Sequence, residues 1–115
     1  MLAAHHANAF LVIAVCLAAA AAAFVARRRG AGRAVAQLLA LAQTLIVAQV
    51  ALGLLLLSRH DRAKDHLHYA YGTFALLAVL SPWLYAPAEP RARLLWFGVA
   101  TLVAAALGVR AYMTA

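Results

Sequence analysis

Acidic side chains are nearly missing from this sequence. Three Asp and Glu stand against 10 Lys and Arg, and charged residues make up only 11% of the 115 residues. No close carboxylate pair is left for acid–base catalysis, since Asp61 and Asp65 lie in a loop whose basic residues they balance. Cysteine occurs once, as Cys16 inside an apolar run, which excludes an intrachain disulfide. The Cys-x-x-Cys-His signature of covalent c-type haem attachment is absent as well. There is no Ser-His-Asp set and no glycine-rich phosphate loop, so a soluble-type enzyme has little support.

Apolar residues are what the chain has instead. They form 68% of it, against about 45–50% in an ordinary soluble domain. A small domain has too little interior to bury so much apolar surface, so lipid is expected to cover much of it. Four apolar stretches stand out, at about 7–26, 34–57, 67–86 and 94–113. Each is close to the roughly 20 residues that cross a hydrocarbon core as a helix. Short polar segments separate them: the charged glycine turn from Arg27 to Arg33, the loop from Ser58 to Asp65, and the proline turn from Pro87 to Pro90. Loops this short make neighbouring helices antiparallel. The expected fold is a single all-α domain over 1–115, a transmembrane antiparallel up-down four-helix bundle.

The formal net charge of +7 does not point to nucleic acid here. The basic residues sit at the ends of the apolar runs, where long side chains snorkel to headgroups. Trp83, Tyr85 and Trp96 mark one interface, and Tyr69, Tyr71 and Tyr112 the other. The segments after the first and third stretches carry six of the ten Lys and Arg: Arg27, Arg28, Arg29, Arg33, Arg91 and Arg93. The opposite side carries four: Arg59, Arg62, Lys64 and Arg110. The positive-inside rule then puts both termini on the extracytoplasmic face of a bacterial-type cytoplasmic membrane. The first stretch lacks the basic n-region of a signal peptide and reads as a retained span.

All five histidines fall on that extracytoplasmic side. His5 and His6 head the first stretch, His66 and His68 head the third, and His60 lies in the loop between. Ionisable residues at the edge of an apolar helix mark a site, and a neutral imidazole is a common donor to haem iron. Successive helical residues differ by about 100°, so one member of each pair can face the bundle axis. His6 sits a residue deeper than His5, which favours it as the inward member. His68 is followed one turn later by Gly72, which leaves a shallow face for a flat macrocycle; His66 is followed by Ala70 and is nearly as well placed. The alternative is that these are interfacial polar residues. On the second stretch, Gln49 and Gly53 share a face one turn apart, roughly 12 Å below its outer end. Gln49 is thus within reach of a haem edge, and Gln37 and Gln43 read as interhelical glue. Arg110 and the loop residues Arg59, Arg62 and Lys64 share the histidine face, as partners for haem propionates or for lipid phosphate.

Gln49-x-x-Leu52-Gly53 followed by His66-Leu67-x-x-Ala70 resembles the haem A synthase family over about residues 5–80. Each four-helix half of that family carries a histidine on one helix, Gln-x-x-Leu-Gly on the next, and histidine-leucine opening the third. The resemblance implies one haem-binding half-bundle, with His66 as the ligand on the third helix. A homodimer would restore two halves.

The expected function is a small b-type haem protein holding one non-covalent haem b between two histidines near the extracytoplasmic face. It would transfer electrons rather than act as a stand-alone enzyme. Its partners would be membrane lipid, a quinol or cytochrome, and a larger redox complex or a second copy. The alternative is a cofactor-free accessory subunit of a larger membrane complex.

Overall fold

The computed structural model describes residues 2–29 and 32–115, and over them the chain is all-helical. The elements are α1 (Leu2–Arg29), α2 (Arg33–Ser58), α3 (Leu67–Leu80), the single turn α4 (Pro82–Tyr85) and α5 (Pro90–Met113). Gly30 and Ala31 of the expected glycine turn lie outside the described residues.

The sequence accounts for most of these limits. Alanine and leucine, both strong helix formers, dominate α1 and α2. At the end of α2 the Asp61 N–H donates to Leu56 O at 2.9 Å and the His60 N–H to Leu57 O at 3.0 Å. These paired bonds form a Schellman closure, with His60 in the left-handed region at φ 67°. Before α3, the Asp65 carboxylate accepts the Leu67 N–H at 3.0 Å, so it secures a helix start besides balancing charge. α5 begins at Pro90, four residues ahead of the apolar stretch, because Glu89 caps it. The Glu89 carboxylate accepts from Arg91 N at 3.0 Å and Ala92 N at 2.7 Å.

The third apolar stretch differs from the expected single span. Pro82 interrupts it: α3 is 14 residues long, and the four residues of α4 follow after Ser81. A proline lacks the N–H that would continue the helical ladder. Ser81 keeps right-handed helical angles (φ −57°, ψ −35°), so the chain runs on past the break. Three helices, α1, α2 and α5, are each long and apolar enough to cross a membrane.

Small residues form the core. Cys16, Ala19 and Ala23 of α1 meet Ala104 and Ala105 of α5, with Ala42 and Ile46 of α2 and Val79 of α3 joining the same cluster. Side chains this short let helices approach closely. At Gly98 a Cβ would stand 2.8 Å from the Phe24 ring, so glycine there is what admits that ring. Large apolar side chains point outward instead, among them Phe10, Leu54, Phe74, Leu77 and Met113. α1 packs extensively on both α2 and α5, and α3 packs on α5, whereas α2 and α3 touch little. The Arg27 end of α1 meets the Arg91 end of α5, and the His5 end of α1 meets Gly53 near the end of α2. The long axis measures 47 Å.

Candidate cofactor site

The first turn of α1 turns His5 inward and His6 outward. His5 is buried, with 7% of its surface exposed, while His6 is exposed and lies edge-on to Tyr112 at 6.5 Å. Gly53 on α2 makes this possible. A Cβ at that position would stand 3.3 Å from His5 Cε1, so the imidazole rests against a stretch of helix that carries no side chain.

Two amides hold His5 from α1 and α2. Gln49 donates from Nε2 to the His5 carbonyl at 2.9 Å, and the same nitrogen lies 3.5 Å from His5 Nε2. Asn8, one turn below His5, donates from Nδ2 to Gln49 Oε1 at 3.0 Å and to Leu45 O at 3.2 Å. The Gln49 side chain is thereby fixed at both ends. His5 Nδ1 is buried and has no hydrogen-bond partner. A buried polar atom left unpaired is costly, so this nitrogen is the orphan of the site.

On α3 the pair His66 and His68 divides in the same way. The His66 side chain is 92% exposed and lies 3.7 Å from Asp65. The His68 ring faces His5, with centroids 6.0 Å apart and planes at 74°. His68 Nδ1 lies 2.6 Å from the Ala111 carbonyl on α5. A carbonyl can only accept, so Nδ1 carries a proton, and in the neutral ring Nε2 then keeps its lone pair. A backbone partner on one ring nitrogen is the usual way a ligating histidine is held in tautomer and orientation.

A cavity of about 480 Å³ opens beside the two rings. Gln49, Gly53 and Gly72 line it together with His5, His6, His60 and His68, over a largely apolar floor. A Cβ on Gly72 would meet nothing within 4 Å, which leaves that stretch of α3 flat and open. Arg62 also lines the cavity. Arg110 does not: its guanidinium stacks over the Tyr71 ring at 5.5 Å, with Nη2 3.5 Å from the Tyr71 hydroxyl. Of the residues singled out from the sequence, His5, His68, Gln49, Gly53 and Gly72 thus converge. His6 lies at the rim, and His66 and Arg110 lie apart.

Two contributors leave little trace in the sequence. Asn8 is a polar interruption of the first span, and a lone amide in an apolar helix must find a partner. Ala111, as a backbone carbonyl, leaves no mark in a sequence. Among the described residues no three His, Cys, Asp or Glu side chains converge as a metal cage. The donor set is a facing pair of imidazoles over an open slot. No protein-family model, curated protein or solved structure matches this chain.

Proposed function

We propose that this chain is a small integral-membrane b-type haem protein. In this reading it is an antiparallel up-down four-helix bundle in which His5 and His68 hold one non-covalent haem b near the extracytoplasmic face. The observation that carries the reading is the pair of facing imidazoles beside a cavity, one with a bare Nε2 and one with an orphaned nitrogen. An imidazole–metal bond is about 2 Å, so two imidazoles that would hold one ion between them need ring centres roughly 6 Å apart. The observed 6.0 Å separation fits that requirement. The cavity of about 480 Å³ is also in the range of sites for flat organic ligands, roughly 300–1,000 Å³.

The residues have distinct tasks. His68 presents Nε2 while Ala111 holds its other nitrogen. His5 is held by Gln49, and Gln49 by Asn8. Gly53 and Gly72 keep the walls flat, and Arg62 supplies a cation for a propionate. When bound, the haem iron supplies reversible one-electron transfer. Because His5 and His68 would both hold the iron, the chain reads as an electron carrier whose partner is a quinol or another redox subunit. The likeness of Gln49-x-x-Leu52-Gly53 to one half of haem A synthase supports the same assignment, with His68 in place of His66. Positive-inside charge puts the Arg27 end in the cytoplasm.

The test is an optical spectrum of the full chain, purified in mild detergent from cells supplied with a haem precursor. The expected result is a Soret band that shifts on reduction and a sharp α band. His5→Ala and His68→Ala should abolish the reduced spectrum, and His66→Ala should keep it. A colourless chain that also fails to take up added hemin would overturn the proposal and favour a cofactor-free accessory subunit.

A further inference from the structure

A second, smaller cavity of about 370 Å³ lies at the opposite end of the molecule, lined by Phe24, Val25, Arg27, Arg28 and Arg91. Two of its arginines are tied to each other across α1 and α5. Arg27 Nε donates to the Arg91 carbonyl at 3.2 Å, and Arg91 Nε donates to the Arg27 carbonyl at 2.9 Å. Each guanidinium is therefore anchored through Nε, while its terminal Nη groups make no hydrogen bond among the described residues. No carboxylate lies within 4 Å of their guanidinium nitrogens among the described residues. The one ion pair within 4 Å among the described residues joins His66 and Asp65. The nearby acid, Glu89, spends its oxygens on the Arg91 and Ala92 amides. Like charges are thus held together at the end of two apolar helices with their donor forks free.

We infer that this pocket binds the phosphodiester of an anionic phospholipid. Guanidinium forks match phosphate oxygens in geometry and charge, and basic pockets between membrane helices suit anionic headgroups. Free phosphate would use the arginines alone. The lining continues into Phe24 and Val25, the latter exposed. A cationic rim over an apolar wall suits an amphiphile, with its phosphate on Arg27, Arg28 and Arg91 and its glycerol and first methylenes along Phe24 and Val25. This site is separate from the histidines, and its test reads lipid rather than haem.

The full chain, in a neutral detergent, is given dioleoylphosphatidylglycerol, dioleoylphosphatidylcholine or inorganic phosphate. Bound lipid is counted by native mass spectrometry and the thermal midpoint is followed by circular dichroism. Phosphatidylglycerol should be retained at least tenfold better than phosphatidylcholine and should alone raise the midpoint. Arg27→Gln with Arg91→Gln should abolish that preference. Arg28→Gln, whose side chain makes no hydrogen bond among the described residues and so leaves the fold intact, should weaken it several-fold. Arg59→Gln removes the same charge at the other end and should leave it unchanged. Equal retention of the two lipids, or an equal loss in Arg59→Gln, would overturn the inference. A midpoint shift with phosphate matching that with phosphatidylglycerol would overturn the lipid assignment.

Discussion

Replacing Asn8 by leucine removes two hydrogen bonds without opening a cavity. One runs to Leu45 O at 3.2 Å, a carbonyl that keeps its helical partner. The other, to Gln49 Oε1 at 3.0 Å, is the only one among the described residues that fixes that end of the amide. A hydrogen bond between membrane helices contributes about 0.6 kcal/mol on average and up to about 1.7 kcal/mol. Gln49→Leu removes the same bond and also the donor to the His5 carbonyl. A double-mutant cycle over Asn8→Leu and Gln49→Leu should therefore show a coupling of about 0.6–1.7 kcal/mol. It can be read from reversible unfolding in mixed micelles by far-ultraviolet circular dichroism. If that energy serves to hold His5, Asn8→Leu should lower haem affinity by about 3- to 20-fold, since 1.4 kcal/mol is a factor of ten. Additive single effects would refute the network. Reduced stability with unchanged haem affinity would mean that Asn8 joins α1 to α2 and does nothing for the imidazole.

Gly53→Ala places a methyl 3.3 Å from His5 Cε1, so haem affinity should fall while helix content by circular dichroism stays the same. His60→Gly relieves a left-handed backbone at φ 67° and should raise the unfolding free energy by about 1 kcal/mol; its reduced spectrum should be intact, and loss of the α band would make His60 a ligand. Thr101 is buried with an unpartnered hydroxyl, so Thr101→Val should be neutral or stabilising by about 1 kcal/mol, and a clear loss in the same unfolding assay would expose a missing partner. The Ala92 and Arg91 amides, followed by the charges of Arg91 and Arg27, hold the Glu89 carboxyl below its ordinary value of 4.5. The cap's contribution is complete above that ordinary value and fades as pH falls through the lowered one, so Glu89→Gln should flatten the acid limb of a thermal-midpoint profile run from about pH 6 to about pH 3.

The helical class was legible because it is written as run length. Long apolar stretches need no knowledge of what they touch, and three of the four expected stretches became helices long enough to span. Run length is blind to a single proline, however, and Pro82 broke the third stretch into α3 and α4. The candidate site was legible as two histidine pairs, with Gly72 one turn on favouring His68. Choosing His5 over His6 as the inward side chain requires the rotation of α1, and that is set by Gly53 on another helix. The Ala111 carbonyl that holds the His68 ring lies 43 residues away. Asn8 and Gln49 lie 41 residues apart, and nothing local to either announces the other. Arg110 has the right charge on the right side, yet the Tyr71 ring holds it away from the cavity.

The position of the cavity follows from which helices attract each other. α1 and α5 meet through alanines and come close. α3 leans on α5 and α2 leans on α1, which leaves α2 and α3 as the poorly joined pair. At the arginine end that gap is filled by Leu39, Val79 and Phe97, all buried. At the histidine end the corresponding walls carry Gly53, Gly72 and Ala75, too small to close it. The same side-chain economy that draws α1 to α5 therefore leaves a slot where His5 and His68 face each other. Bulk added at Gly72, where a Cβ meets open space, would fill the slot with little strain on the helices. Gly72→Leu is thus the substitution that separates a site for a flat ligand from a mere packing fault. It should leave the fold standing and exclude the haem, whereas a packing fault filled with leucine would gain stability and lose nothing.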